Sequence, residues 1–206
     1  MGIWESRVVP RIVDRTCGMA QLDPMRKEAC EGLRGRVVEI GFGSGSNIGL
    51  YPAEVTEIVA VEPSDVAWEL SAPRRSRSSV PVSRVGLDGA QLPLDDASVD
   101  TGLVTFSLCT IPNVAGALAE LRRVVRPGGT LGFAEHGLSP DPAVARWQHR
   151  LDGFQQRFFG GCHLTRDIPK LLADQGFQFE RLHQDYLPGP APSKPWGYVS
   201  AGRVSA

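Results

Sequence analysis

Between residues 36 and 134 the chain repeats one rhythm: a short apolar run, a turn, then apolar positions at helical spacing. The apolar runs are Arg36–Ile40, Glu57–Val61, Val82–Leu87, Thr101–Ser107 and Thr130–Ala134. They lack a clean polar alternation, which predicts strands buried on both faces. Helical stretches fall near 46–50, 64–72 and 113–126. In the last, Val114, Leu118, Leu121 and Val125 form one stripe while Glu120, Arg122, Arg123 and Arg126 face away, and Gly128–Gly129 after Pro127 provide the stop. Strand–helix alternation of this kind predicts an α/β fold: a mainly parallel sheet with helices on both faces.

The two ends differ from the middle. Residues 3–18 predict an amphipathic helix, with Trp4, Val8 and Ile12 opposite Arg7, Arg11 and Arg15, interrupted at Pro10. A second helix is expected over 23–33, with Asp23 as N-cap and Pro24 at the first position. After the repeating region, Asp141-Pro142 opens a helix over 142–153, and Thr165 or Asp167 opens another over 166–175. Phe177–Leu187 and Tyr198–Val204 then alternate like antiparallel strands joined by the loop Pro188–Pro195. The expectation is seven strands, the last pair antiparallel, with 137–165 an insertion over the site.

Composition narrows the function classes. Hydrophobic residues at 42% and charged residues at 22% exclude a largely disordered chain. Lys and Arg number 22 against 23 Asp and Glu, so there is no basic surplus for a nucleic-acid partner. Cys17, Cys30, Cys109 and Cys162 form no CxxC pair and favour a reducing compartment. No apolar run reaches the length of a membrane span, and the first residues lack the long apolar core of a signal peptide. A soluble cytoplasmic protein of one domain is expected; nothing in the sequence sets an oligomeric state.

The strongest local signal is Val37-Val-Glu39-Ile-Gly41-Phe-Gly43-Ser-Gly45-Ser-Asn47. An apolar strand runs into closely spaced glycines, which let the backbone turn sharply and present its N–H groups to a ligand. The dinucleotide fingerprint would put a third glycine where Ser46 stands, which argues against a nicotinamide-dependent oxidoreductase. Glu62 ends the second strand 21 residues after Gly41, where a carboxylate can accept from both hydroxyls of a ribose.

These residues resemble the class I S-adenosylmethionine-dependent methyltransferases. Three further stretches agree, in the right order across 36–136: Leu87-Asp88-Gly89 through Asp100, Thr105-Phe-Ser-Leu-Cys109-Thr-Ile-Pro112, and Leu121 through Leu131 with its Arg-Pro-Gly-Gly turn. The resemblance implies a Rossmann-like fold, S-adenosylmethionine as donor and S-adenosylhomocysteine as product. It divides the single domain, 1–206, into an N-terminal helical cap (1–35), a donor-binding core (36–136) and a substrate-side segment with the last strands (137–206). By position it implies that Gly41, Gly43 and Gly45 cradle the methionine and ribose portions, with Glu39 supporting the loop. Glu62 would bind the ribose, Asp88 the adenine amino group and the Gly89 N–H a ring nitrogen. Phe106 and Leu108 would line the donor near its methyl group. The C-terminal half, with Glu135-His136-Gly, Trp147-Gln148, Gly160-Gly161-Cys162-His163-Leu-Thr-Arg166 and Tyr198, resembles a branch that includes enzymes methylating alkyl thiols.

Methyl transfer from a sulfonium is an in-line displacement, so positioning matters most and a base helps where the acceptor must lose a proton. His136, just past the fifth strand, and His163 are the base candidates. Cys162 and His163 are neighbours in sequence, and two neighbours do not make a metal site, so none is expected. Trp4, Trp147, Phe154, Phe158 and Phe159 are available to wall an apolar pocket, and Arg74, Arg75 and Arg77 read as a solvated loop. The expected function is methyl transfer to a small apolar acceptor, a thiol ahead of a lipid amine or phenol. The alternative is a module that binds the donor as a sensor or scaffold without turnover.

Overall fold

The computed structural model describes residues 8–86 and 88–205. Seven strands form one sheet in the order β3-β2-β1-β4-β5-β7-β6. They are β1 (Gly35–Ile40), β2 (Val55–Val61), β3 (Val82–Gly86), β4 (Val99–Thr105), β5 (Val125–His136), β6 (Gln178–Tyr186) and β7 (Tyr198–Ser205). The first five are mutually parallel, and β7 runs antiparallel to both β5 and β6. This is the seven-stranded, mainly parallel sheet that the apolar runs predict.

Successive side chains of a strand point to opposite faces, and the core divides accordingly. Val38 and Ile40 of β1 and Val59 and Val61 of β2 join one cluster with Leu118, Leu121 and Phe133. Val37 of β1 and Ile58 and Ala60 of β2 join the other with Ala29, Leu33 and Leu103. Each central strand therefore feeds two cores, which is why polar alternation is missing. Helix α5 (Val114–Val124) covers the first face with its buried stripe Ala117, Leu118, Leu121 and Val124. Helix α2 (Asp23–Cys30) covers the other. Gly132 of β5 admits it closely, since a Cβ there would lie 1.9 Å from the Ala29 carbonyl oxygen.

Several boundaries differ from expectation. The 46–50 stretch is a chain of tight turns, with Ile48 N–H donating to Gly45 and Leu50 N–H to Asn47. Gly45 and Gly49 have φ of 78° and 93°, and Pro52 pushes Tyr51 away from helical geometry, so no helix propagates. Asp23 is the first residue of α2 and not its cap; no side-chain cap bond is made there, and the helix stops at Cys30, short of residue 33. Helix α5 ends at Val124, before residue 126, because Pro127 disfavours helical geometry at Arg126.

The 64–72 stretch is two short helices, α3 (Asp65–Leu70), capped by Ser64, and α4 (Ala72–Arg75). Helix α6 (Pro142–Phe158) is capped by Asp141 as expected and runs five residues past 153. Helix α7 (Ile168–Asp174) is capped by Asp167, which settles the choice against Thr165. Of the N-terminal helix, α1 (Val9–Cys17) is present; residues 3–7, with Trp4 and Arg7, lie outside the described residues, as does Leu87 at the end of β3. Helix α8 (Lys194–Gly197) precedes β7. No helix among the described residues is long and apolar enough to cross a membrane.

Candidate active site

The strand ends of β1, β2, β4 and β5 meet at one edge of the sheet, where open α/β sheets bind ligands. At the exit of β1, Gly41, Gly43 and Gly45 have φ of 73°, 59° and 78°, a region that side-chain-bearing residues rarely adopt. A Cβ on Gly41 would lie 1.9 Å from the Ser107 hydroxyl, so this glycine lets the β1 and β4 exits touch. Gly43 differs: a Cβ there would meet nothing closer than the Gly41 carbonyl oxygen at 3.9 Å. Its backbone borders open space, the arrangement a ligand needs.

Glu62, buried at 6% exposure, ties the loop to β2. Its Oε2 accepts from the Gly43 N–H at 2.7 Å and its Oε1 from the Ser64 N–H at 2.7 Å. A carboxylate offers about four acceptor sites, so capacity remains for hydroxyls of a ribose. Burial pushes this carboxyl upward, and the two backbone N–H bonds oppose that. Asp88 lies exposed beyond β3, where its Oδ1 accepts from the Ala90 N–H at 2.8 Å. Gly89 packs tightly, as a Cβ would lie 2.9 Å from the Ile40 side chain.

Beneath the loop lies a polar network. Glu39 is 1% exposed; it accepts from Asn47 Nδ2 at 2.7 Å and from the Tyr51 hydroxyl. Burial drives its carboxyl up to about 7, against the hydrogen bonds from Tyr51 and Asn47 and the nearby Arg26 charge. Arg26 of α2, itself 4% exposed, donates to Asn47 Oδ1 at 2.9 Å, Thr105 Oγ1 at 2.7 Å and the Cys17 carbonyl at 2.8 Å. Its guanidinium carbon sits 4.9 Å from the centroid of the Phe106 ring. Asn47 and Thr105 stand in the two sequence stretches that mark the β1 and β4 exits, but the sequence assigns a role to neither, nor to Arg26 or Tyr51. An arginine in a short polar helix reads as a solvated residue, and only the tertiary packing buries it.

Phe106 leaves β4 at φ 52°, an uncommon conformation for a side-chain-bearing residue and one that costs about 1–3 kcal/mol. Leu108 lies deeper than a donor-lining residue: its side chain is fully buried in the core. Its backbone N–H and that of Ser107 donate to Glu135 Oε1 at 2.9 and 2.7 Å. Glu135 is fully buried at the end of β5, and burial raises its carboxyl against those bonds. Arg166 donates to the Leu108 carbonyl and to that of Ile111 at 2.8 Å. The β4 exit loop is thus held from both sides. An acid ending a buried apolar strand was the available signal for Glu135.

The two histidines separate. His136 Nε2 lies 2.9 Å from Cys162 Sγ, and its buried Nδ1 has no hydrogen-bond partner among the described residues. Cys162 Sγ donates to Cys109 Sγ at 3.7 Å; that contact and burial push the Cys162 thiol strongly up. His163 is part-exposed, with Nδ1 3.6 Å from Asp152 Oδ2, and its N–H donates to the Cys109 carbonyl at 2.9 Å. The segment after α6 therefore returns to the β4 exit. Of the aromatic residues of α6, Trp147 and Phe154 are more than half exposed, and Trp147 lines an apolar groove with Val144, Leu151 and Trp196. Two of the three arginines near α4 are engaged, while Arg77 is exposed. Arg74 donates to the Ser44 carbonyl at 2.9 Å and pairs with Asp14, and Arg75 stacks 3.8 Å from the Trp68 centroid.

A glycine loop bordered by open backbone, a ribose-ready acid at the end of β2 and this strand order define a class I S-adenosylmethionine-dependent methyltransferase. The methyltransferase-domain family matches residues 38–133. The human thiol S-methyltransferase TMT1B is 30% identical over 181 residues, covering 84% of this chain and 72% of that protein. The chain belongs to this methyltransferase family. The phosphatidylethanolamine N-methyltransferase of Cereibacter sphaeroides is 28% identical, covering 79% and 81% of the two chains. Among solved structures, an S-adenosylmethionine-dependent methyltransferase of Thermotoga maritima has a TM-score of 0.68 at 21% identity and 98% coverage of each chain. A geranyl diphosphate methyltransferase bound to S-adenosylmethionine also has a TM-score of 0.68, at 14% identity, covering 100% of this chain and 91% of that one.

Proposed function

We propose that this chain methylates the sulfur of a small apolar thiol in the cytoplasm. The observation that carries the reading is the extent of the likeness to thiol S-methyltransferases. It reaches 84% of the chain, well past the donor-binding stretch into the segment that returns to the β4 exit. The balanced charge supports a small molecule rather than a nucleic acid as acceptor.

When bound, S-adenosylmethionine supplies a methyl group already activated on a sulfonium. The chain supplies placement. Glu62 takes the ribose hydroxyls with its remaining acceptor capacity, and the open backbone at Gly43 admits the methionine portion beside Gly41 and Gly45. Glu39 stiffens the loop from below through Asn47 and Tyr51. Asp88 and the Gly89 N–H take the adenine edge. Phe106, strained at the β4 exit, borders the donor, and Leu108 backs it from the core.

A thiol with a pKa of about 8.5 needs little help to ionise at neutral pH. His163, part-exposed and steadied beside Asp152, takes that proton. His136 is the weaker base candidate, because its Nε2 is turned to Cys162 and is not free for an acceptor.

The test is S-adenosylhomocysteine release with a matched alkyl thiol, alkyl amine and phenol. Release with the thiol alone is expected, and His163→Ala should lower turnover with donor affinity intact. Donor binding without release from any acceptor would overturn the reading in favour of a sensor module.

A further inference from the structure

Three residues far apart in sequence converge where β4, β5 and the segment after α6 meet. Cys109 follows β4, His136 ends β5, and Cys162 follows α6. One ligand atom from each, Sγ, imidazole N and Sγ, lies within 4.8 Å of the other two. We propose that Cys109, His136 and Cys162 form a binding site for one Zn²⁺ ion.

The distances suit that ion. Zinc holds sulfur at about 2.3 Å and imidazole nitrogen at about 2.0–2.1 Å in tetrahedral geometry, so two thiolates on one ion sit about 3.8 Å apart. Cys109 Sγ and Cys162 Sγ are 3.7 Å apart. A sulfur–nitrogen edge of the same tetrahedron is about 3.5 Å, against 2.9 Å between His136 Nε2 and Cys162 Sγ, so the ring would withdraw by about 0.6 Å.

The charge also balances. Each thiol releases its proton to solvent on binding, and two thiolates with a neutral imidazole offset the ion's two positive charges. A neutral centre is the form that a site with both sulfurs buried tolerates.

The arrangement separates this reading from a simple dithiol. A disulfide needs its sulfurs at about 2.05 Å and has no use for the imidazole, whereas here the ring nitrogen closes the triangle. Soft sulfur donors with one nitrogen select zinc over calcium or magnesium. Three protein ligands leave a fourth position for water, and the ion would fasten the segment after α6 to the ends of β4 and β5.

The experiment uses the full chain, purified under reductant with its thiols counted, and dialysed against Zn²⁺ and, separately, Co²⁺. One equivalent of Zn²⁺ should bind, raising the thermal midpoint, and Co²⁺ should give a thiolate charge-transfer band near the ultraviolet edge. Cys109→Ser, Cys162→Ser and His136→Gln should each lower zinc affinity at least tenfold. Cys30→Ala, at a buried thiol of the other core, should leave stoichiometry at one. Donor affinity measured on each variant reports whether it has folded. Zinc binding that is absent, or unchanged in all three ligand variants, would overturn the proposal. So would a Cys109–Cys162 disulfide that persists in a glutathione buffer.

Discussion

The glycine loop after β1 and the cysteine–histidine cluster at the end of β5 lie on the same sheet edge but solve opposite problems. In the loop, buried carboxylates are satisfied locally: Glu62 holds two backbone N–H groups, and Glu39 holds Asn47 and Tyr51. Its remaining freedom is open space at Gly43. In the cluster, two sulfurs and a ring nitrogen meet one another, and His136 Nδ1 is buried without a hydrogen-bond partner among the described residues. The first region is a rigid frame built before its ligand arrives. The second is a set of ligand atoms facing each other, with Thr110 Oγ1 at 3.4 Å from Cys109 Sγ as a further contact. Preorganisation through hydrogen bonds belongs to the donor side, and a convergence of metal-ligand atom types to the other.

The sharpest way to break the frame is Gly43→Val. The residue stands at φ 59°, and a branched side chain would fill the space kept open beside Gly41. Donor affinity measured by calorimetry should fall by more than about 100-fold, with the fold retained by circular dichroism.

Arg26→Ala attacks the frame from below. It strips partners from Asn47, Thr105 and the Cys17 carbonyl. Unsatisfied buried groups cost about 1–3 kcal/mol each, so denaturant unfolding should show a loss of roughly 3 kcal/mol with donor binding weakened alongside. Glu62→Ala should weaken the donor by about 1–3 kcal/mol. Glu62→Gln, which keeps one acceptor oxygen, should lose less. An unchanged affinity in both would remove Glu62 from the ribose.

The smallest effect is a pH slope. Burial raises the Glu39 carboxyl from an ordinary value of 4.5 to about 7. Between these values the folded state holds a proton that the unfolded state has released, so stability falls as pH rises from about 4.5 through about 7. Below that window both states are protonated and the contribution is flat. Glu39→Gln should reduce the slope in unfolding midpoints measured across that range, leaving the part contributed by the buried Glu62 and Glu135.

The same contrast explains what the sequence discloses. The loop is contiguous: Glu39, three glycines and Asn47 fall within nine residues, and Glu62 follows at the end of the next strand. Two-faced burial makes the central strands legible, because β1, β2 and β4 each supply both cores. The helix expected at 46–50 fails because Gly45 and Gly49 take positive φ and Pro52 follows. The cluster is illegible for a different reason. Cys109, His136 and Cys162 stand 27 and 26 residues apart, and the parallel crossover and the return of the chain after α6 bring them together. In sequence, Cys162 pairs with His163; in space it pairs with His136. Arg26 is hidden for a similar reason, since burial of a helical arginine depends on what packs over it.

The most direct measurement gives the protein S-adenosylmethionine labelled in its methyl group together with an alkyl thiol and the alcohol of the same chain length. Mass spectrometry then follows the label. The account predicts labelled thioether from the thiol and unlabelled alcohol. Label in the alcohol, or tight donor binding with no label leaving S-adenosylmethionine, would contradict it.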